Sequence, residues 1–103
     1  MDSDYEKGPM RDELDQMKGA VLLEFGVDWC PHCQALESGM AALVKKFPAV
    51  KHLKVEDGKG KPLGRSFRVK LWPNFVFLKD GQMLNQLARP SLDEVEAALK
   101  QIA

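Results

Sequence analysis

The stretch that decides the fold is Phe25-Gly26-Val27-Asp28-Trp29-Cys30-Pro31-His32-Cys33, which holds both cysteines of the chain. An apolar run, Ala20 to Phe25, leads into this stretch, and an amphipathic run, Gln34 to Phe47, leads out of it. The first run is typical of a strand buried on both faces, and the second has the spacing of a helix. Two cysteines with two residues between them, at a strand-to-helix junction, are typical of a dithiol redox site. We therefore expect the rest of the chain to position and tune this pair.

The length and composition of the chain limit the classes of protein that it can be. Its 103 residues predict a single domain over 1–103, with residues 1–8 as a loose N-terminal arm. Basic and acidic residues both number 15, and the resulting zero net charge argues against a nucleic-acid or anionic-membrane partner. The apolar runs are far shorter than the roughly 20 residues of a membrane span. The polar, acidic N-terminus is unlike a secretory signal and predicts a cytoplasmic protein, or a periplasmic one if a signal has been trimmed.

The rest of the sequence alternates between helical and strand patterns. Apolar spacing predicts helices over 9–18, 62–68 and 91–102 and strands over 50–56, 75–78 and 83–88. Asp80-Gly81 is a hairpin signal between the last two strands, and Ser91 with Glu94 forms a capping box. Alternation followed by a terminal hairpin predicts an α/β fold, in which a mixed sheet carries helices on both faces.

Four sequence features together resemble the thioredoxin family over residues 10–103. They are the strand ending at Phe25, the motif Trp29-Cys30-x-x-Cys33, the segment Val69-x-x-Trp72-Pro73-Asn74 and the hairpin Phe77-x-Lys79-Asp80-Gly81. The resemblance implies a thioredoxin-like fold with a central mixed sheet of four or five strands, because residues 1–8 hold no clear counterpart of the usual first strand. It also implies a monomeric thiol-disulfide oxidoreductase that acts on protein thiols and disulfides. Its redox group would be a Cys30–Cys33 disulfide with no cofactor, and a reductase or glutathione would recycle the dithiol.

The sequence departs from the family pattern at several positions. Pro31-His32 stands where ordinary thioredoxins have Gly-Pro, and it resembles the dipeptide of periplasmic disulfide-generating oxidases. Those oxidases carry a large helical insertion, for which this chain has no room. Ser38 stands near the position of the proline that kinks the family's active-site helix. Trp72 is larger than the usual residue before the cis-proline, and no glycine borders the substrate groove around Ala88-Arg89. The last two departures concern the selection of substrates.

The chemistry of disulfide exchange assigns different roles to the two cysteines. A thiolate is the nucleophile, and Cys30 would lie at a helix N-terminus, where free N–H groups and the macrodipole favour an anion. Protonated His32 would add a positive charge beside it. Stabilising this thiolate stabilises the reduced form, so we predict a less reducing potential than Gly-Pro would give in the same frame. Cys33, one turn further along the helix, would resolve the mixed disulfide on Cys30.

Glu24 is the candidate group for handling the proton of Cys33. The resemblance implies an acidic residue beneath the second cysteine, and Lys54 aligns with the lysine that accompanies it. Desolvation makes a buried carboxyl group hold its proton more tightly, which suits proton transfer near neutral pH. We expect the transfer to pass through a buried water. The alternatives are an ordinary Glu24–Lys54 ion pair, or a glutamate that points to a solvated edge.

Trp72 and Pro73 would form the other half of the site. The resemblance implies a cis bond between them, which would bring both residues against Cys30. It would also expose the backbone of Trp72 for pairing with an extended substrate. Trp72 is then either a platform for the substrate or a lid over the thiol, and both alternatives stay open. We expect Trp29 to shield the sulfur atoms.

Two other functions and two further features remain to be weighed. Cys30, Cys33, His32 and His52 could ligate zinc, but His32 lies between the cysteines and would point away from them. A non-catalytic binding or chaperone module is the second alternative, although such a module has no need of an intact Cys-x-x-Cys. His52 is predicted to be a solvent-facing strand residue. A basic run, Lys59 to Lys70, is either a solvated face or a surface that attracts acidic partners.

Overall fold

The computed structural model describes residues 5–103, in which four helices and four strands follow one another. In chain order they are α1 Arg11–Asp15, β1 Ala20–Gly26, α2 Pro31–Val44, β2 Lys51–Glu56, α3 Pro62–Ser66, β3 Asn74–Lys79, β4 Gln82–Ala88 and α4 Leu92–Ile102. This is the order that the sequence pattern predicts. The first helix is shorter than predicted, because the chain leaves the helix after Asp15 and turns at Gly19, whose φ is +82°. None of these helices is long and apolar enough to cross a membrane.

The four strands form one mixed sheet in the order β2-β1-β3-β4. Strand β1 runs parallel to β2 and antiparallel to β3, and β4 pairs antiparallel with β3. Every residue of β1 is buried, as the continuous apolar run predicts for a central strand. The predicted α/β fold with a mixed sheet is therefore confirmed.

The two faces of the sheet carry different helices, because successive side chains of a strand point to opposite faces. On one face, Leu22 packs with Phe75 and Phe77 of β3 under α2 and α4. On the other face, Leu23 and Phe25 pack under α1 and α3. The carboxyl end of β1, where the cysteine stretch begins, thus lies between two packed layers that hold it in place.

The prediction that residues 1–8 form a loose arm is wrong for the part that the structure describes. Tyr5 is buried, and Glu6 forms a parallel bridge with Val55 of β2. The Glu6 N–H donates to the Lys54 carbonyl at 2.9 Å, and the Glu6 carbonyl accepts from the Glu56 N–H at 2.7 Å. These two bonds extend the sheet at its β2 edge by a single residue. The segment is too short to show strand periodicity in the sequence. Residues 1–4 lie outside the described part of the chain.

Candidate functional site

Cys30 occupies the N-cap position of α2. Its backbone is extended, with φ −81° and ψ 118°, and Pro31 follows at the first helical position, where a missing N–H has no cost. The Cys33 N–H donates to the Cys30 Sγ at 3.3 Å. The sulfur therefore takes the place of the side-chain oxygen in an ordinary helix cap, where the helix dipole favours negative charge. Both cysteines are free thiols, and both are buried.

Cys33 lies one turn further along the helix, in a small apolar cluster with Val27, Cys30 and Trp72. Burial, and then the hydrogen bond with Cys30, raise the pKa of the Cys33 thiol to about 11. At neutral pH this thiol is protonated almost completely. Cys33 can act as a nucleophile only if a nearby group removes its proton.

Glu24 lies in the middle of β1 and is only 2% exposed, so the solvated-edge alternative is wrong. Its Oε2 accepts a hydrogen bond from the Tyr5 hydroxyl at 3.3 Å, and its Oε1 lies 2.8 Å from the Nε2 of His52. Lys54 is the register partner of Glu24 on β2, and its Nζ lies 4.5 Å from the centroid of the Tyr5 ring. The structure thus brings Glu24 and Lys54 together, as predicted, and adds two groups to them.

His52 does not face solvent as predicted. Its side chain is 20% exposed and packs beside Glu24, from which it is offset by two residues in the strand register. Diagonal neighbours of this kind lie on the same face of a sheet. Glu24, His52 and Lys54 line a cavity of about 590 Å³ together with residues of α2.

Tyr5 is the residue of the site that the sequence analysis missed. Its hydroxyl contacts both Glu24 and the Cys33 thiol, and burial, followed by the charge of Glu24, raises the pKa of Tyr5. Gly26 makes this approach possible. A Cβ built on Gly26 would lie 2.7 Å from the Cys33 Sγ and 2.9 Å from the Tyr5 hydroxyl oxygen. Its missing side chain is the space in which the two groups meet.

The bond between Trp72 and Pro73 is cis, which confirms the prediction. The Trp72 ring packs against the cluster of Val27, Cys30 and Cys33, and its Nε1–H donates to the Asp57 Oδ2 at 2.8 Å. Trp72 therefore partly covers the thiols. The Trp29 ring is 69% exposed and meets Trp72 edge-on, with the ring centroids 5.7 Å apart.

Arg89 binds the backbone that was expected to be exposed for substrate. Its Nε donates to the Trp72 carbonyl at 2.8 Å, and its N–H donates to the Pro73 carbonyl at 2.9 Å. The φ of Arg89 is +48°, in the region that glycine adopts most easily. The expectation that the Trp72 backbone is fully available is therefore wrong for its carbonyl oxygen.

A groove that Trp72 helps to line is rich in positive charge. It has a volume of about 440 Å³, and we call it the basic groove. It is lined by Asp57, Gly58, Lys61, Arg65, Arg68, Val69, Lys70 and Trp72. The Lys61 Nζ lies 3.1 Å from a Glu56 carboxylate oxygen, and Asp57 is bonded to Trp72. The groove thus joins a cationic surface to the aromatic ring that covers the thiols.

The zinc alternative has a specific geometric requirement. His52 would have to turn toward the cysteines, but its Nε2 is 2.8 Å from Glu24, and His32 is exposed. Among residues 5–103, no group of three or more His, Cys, Asp or Glu side chains is arranged to hold a metal ion.

A dithiol at the N-terminus of a helix, after a buried strand and opposite a cis-proline, defines a thiol-disulfide oxidoreductase. Comparison with known proteins gives the same result. The model of the thioredoxin family matches residues 5–101. A thioredoxin H-type from Ricinus communis is 30% identical over 82 residues, which are 80% of this chain and 70% of that protein. The structure of reduced thioredoxin 2 from Pseudomonas aeruginosa PAO1 is 50% identical and has a TM-score of 0.84 over 99% of this chain and 96% of that one. The chain belongs to the thioredoxin family.

Proposed function

We propose that Cys30 attacks disulfides of protein substrates and that Cys33 resolves the mixed disulfide. The Cys30 thiolate forms a bond to one substrate sulfur and releases the other as a thiolate. The Cys33 thiolate then attacks the Cys30 sulfur, which forms the Cys30–Cys33 disulfide, releases the second substrate thiol and passes two electrons to the substrate. The observation that carries this assignment is the Cys33 N–H donating to the Cys30 Sγ at the helix cap. No cofactor takes part in these steps.

Glu24 is proposed as the group that receives the proton of Cys33, with Lys54 beside it. Its burial beneath the cysteines and its contact with the Tyr5 hydroxyl, which in turn contacts Cys33, support this role. The raised pKa of Cys33 makes a proton acceptor necessary at neutral pH.

The amount of substrate trapped by each cysteine variant tests the roles of the two cysteines. A Cys33→Ser variant should hold partners on Cys30 as stable mixed disulfides, whereas a Cys30→Ser variant should hold far fewer. A Cys33→Ser variant that traps no protein thiol partner would favour the non-catalytic binding module. Metal analysis of protein purified without chelator distinguishes the zinc alternative.

His32 is proposed to make the dithiol less reducing than an ordinary thioredoxin. It is exposed in the first turn of α2, between the two cysteines. A cation there stabilises the Cys30 thiolate and therefore the reduced state, and a change of about 30 mV corresponds to about 1.4 kcal/mol. Equilibration with glutathione should give the wild type a higher potential than His32→Pro. A wild-type potential at or below that of the variant would contradict the role of His32.

The direction of electron flow follows from the compartment in which the protein works. In a reducing cytoplasm, which we propose as its location, a reductase or glutathione would keep the dithiol reduced, and the protein would reduce or isomerise substrate disulfides as a monomer. Acidic protein segments are the proposed preferred substrates. The charge of the basic groove and its continuity with Trp72 support this preference, because opposite charges raise the rate of encounter.

A further inference from the structure

We propose that the proton of Cys33 leaves the active site along a path of three side chains, Tyr5, Glu24 and His52, with no water needed between them. The Tyr5 hydroxyl is the first group on the path, Glu24 is the second, and His52 releases a proton to solvent. The proposal rests on the resolving role of Cys33 and extends it to two residues outside the cysteine motif. Tyr5 contacts the reacting thiol, whereas His52 acts on it only through Glu24.

The first step of the path depends on the space left by Gly26. The Tyr5 hydroxyl and the Cys33 sulfur both approach the point where a Gly26 Cβ would stand, at 2.9 and 2.7 Å. The same hydroxyl donates to the Glu24 Oε2 at 3.3 Å. The phenol oxygen thus contacts both the thiol and the carboxylate, as a group that relays a proton between them must.

The second step connects the carboxylate to solvent. Glu24 itself is sealed in the sheet, but its second oxygen, Oε1, lies 2.8 Å from the His52 Nε2. The His52 side chain is partly exposed and lines the same cavity as Gln34, Glu37 and Ser38, which are exposed residues of α2. Of the two polar groups bonded to Glu24, His52 is the one with a second nitrogen, which can hold or release a proton separately from the nitrogen that faces Glu24.

The transfers balance without any group outside this path. The Cys33 S–H gives its proton to the Tyr5 oxygen while the Tyr5 O–H gives its own to the Glu24 Oε2. Tyr5 ends as a neutral phenol whose new O–H points back at the Cys33 thiolate. The His52 Nε2–H donates to the other carboxylate oxygen, Oε1, so a doubly protonated His52 releases a proton from its second ring nitrogen to water as Glu24 takes up the proton of Tyr5. The high pKa of Tyr5 fits this exchange, because the phenol never has to exist as a phenolate.

Strands β2 and β3 and helix α2 pack around the path, and they contribute charged groups, titratable groups and apolar side chains. Strand β2 contributes Lys54, whose ammonium lies 4.5 Å from the Tyr5 ring, and helix α2 contributes Cys33, Glu37 and Lys45. Strand β3 places Phe75 opposite Glu24 in the sheet register. Lys54 thus places a positive charge beside the path.

The test separates attack by Cys30 from resolution by Cys33. Reduced protein is mixed with one equivalent of 5,5′-dithiobis(2-nitrobenzoate) at acidic pH, where release of the first nitrothiolate reports the Cys30 attack. A jump to higher pH then starts release of the second nitrothiolate by Cys33. We expect Tyr5→Phe to slow the second release by about a hundredfold or more, the typical contribution of a positioned acid–base group, and to leave the first release unchanged.

His52→Gln distinguishes a proton exit from a structural contact. Glutamine keeps an N–H that can donate to Glu24, but it does not titrate. The proposal predicts a slower second release and loss of one ionisation from its pH profile, whereas a purely structural His52 would leave both at the wild-type values. Lys51→Gln, an exposed change on the same strand, is the matched control.

A measurement on the unaltered protein covers the case in which a variant does not fold. The rate of the second release, measured in mixtures of H2O and D2O, should vary nonlinearly with the fraction of deuterium, because more than one proton moves in the same step. A linear dependence on the fraction of deuterium would overturn the proposed path. So would a Tyr5→Phe protein whose second release is as fast as that of the wild type. Loss of the first release in wild-type protein, or its persistence in Cys30→Ser, would instead overturn the proposed function.

Discussion

Arg89 holds the main-chain carbonyl of Trp72, with the guanidinium Nε 2.8 Å from the carbonyl oxygen. The carbonyl belongs to the residue directly before the cis-proline, whose side chain packs against the cluster that contains both thiols. An extended substrate that pairs with this oxygen must first displace Arg89. Small disulfides that react with Cys30 without pairing to the backbone face no such competition.

An Arg89→Asn variant should therefore act faster on protein disulfides while its rate with a small aromatic disulfide stays the same. Asparagine tolerates the positive φ of this position, and its side chain is too short to copy the guanidinium contact. Hydrogen bonds to charged groups contribute about 1.5–3 kcal/mol when buried, and Arg89 is exposed, so we expect a gain in kcat/KM of a few fold. Lys18→Asn removes one positive charge just before the start of β1, whereas the cysteines follow its end, and this variant controls for the lost charge. Equal changes with both substrates would contradict competition at the carbonyl.

The basic groove predicts a salt-sensitive preference among substrates. Arg65→Glu combined with Lys70→Glu reverses two of its exposed charges and should slow the reduction of an acidic peptide disulfide by roughly tenfold at low salt. The loss should shrink as salt is added, since screening weakens interactions between exposed charges. A neutral peptide should react at the wild-type rate. Lys18→Glu with Lys51→Glu reverses the same number of charges elsewhere, and an equal loss in that control would mean that only net charge matters.

The dithiol stretch and the mixed sheet were predictable because each has a local pattern in the sequence, and the cis Trp72–Pro73 bond was implied by the resemblance to the thioredoxin family. Tyr5 was not predictable, because its position depends on a single bridge at Glu6, which has no periodicity. His52 was misjudged for a different reason. Its contact with Glu24 is a diagonal one across two strands, and the register that creates it is a property of the assembled sheet.

Arg89 shows a third limit of sequence reasoning. The missing glycine near Ala88-Arg89 was visible, but its consequence was not. The backbone keeps a positive φ with an arginine in place, and the long side chain then folds back onto Trp72. A departure from a family pattern can thus preserve the backbone and change the chemistry of its surface.

Gly64 of α3 should tolerate alanine poorly, although alanine normally stabilises a helix by roughly 0.5–1 kcal/mol relative to glycine. A Cβ at Gly64 would overlap the Asp57 carboxylate, which accepts the Trp72 indole N–H at 2.8 Å. We expect Gly64→Ala to lower the free energy of unfolding by about 1–3 kcal/mol and to change the tryptophan fluorescence. In an Asp57→Ala background the same change should be neutral or stabilising. Additive effects in this double-mutant cycle would show that the overlap with Asp57 is not the cause.

The raised pKa of Cys33 predicts how the stability of the reduced protein depends on pH. The native thiol has a pKa of about 11, against an ordinary value of 9.0 that applies to the unfolded chain. The folded state therefore binds this proton more tightly, so its contribution to stability is complete below pH 9 and is lost as the pH rises through 11. The loss should be on the order of 2 kcal/mol, because the side chain is buried and each unit of pKa corresponds to about 1.4 kcal/mol.

Urea unfolding of the reduced wild type and of Cys33→Ala, at a series of pH values, measures this contribution directly. Other groups that ionise at high pH, including Tyr5, affect both proteins, and their effects largely cancel in the difference. The pKa of Tyr5 is raised mainly by burial and then by the charge of Glu24. The difference in unfolding free energy should be constant below pH 9 and should then narrow toward pH 11. Curves that stay parallel over this range would mean that Cys33 ionises as easily in the folded protein as in the unfolded chain. The need for a proton acceptor would then be no greater than for an ordinary thiol, and the proposed role of Glu24 would lose one of its physical reasons.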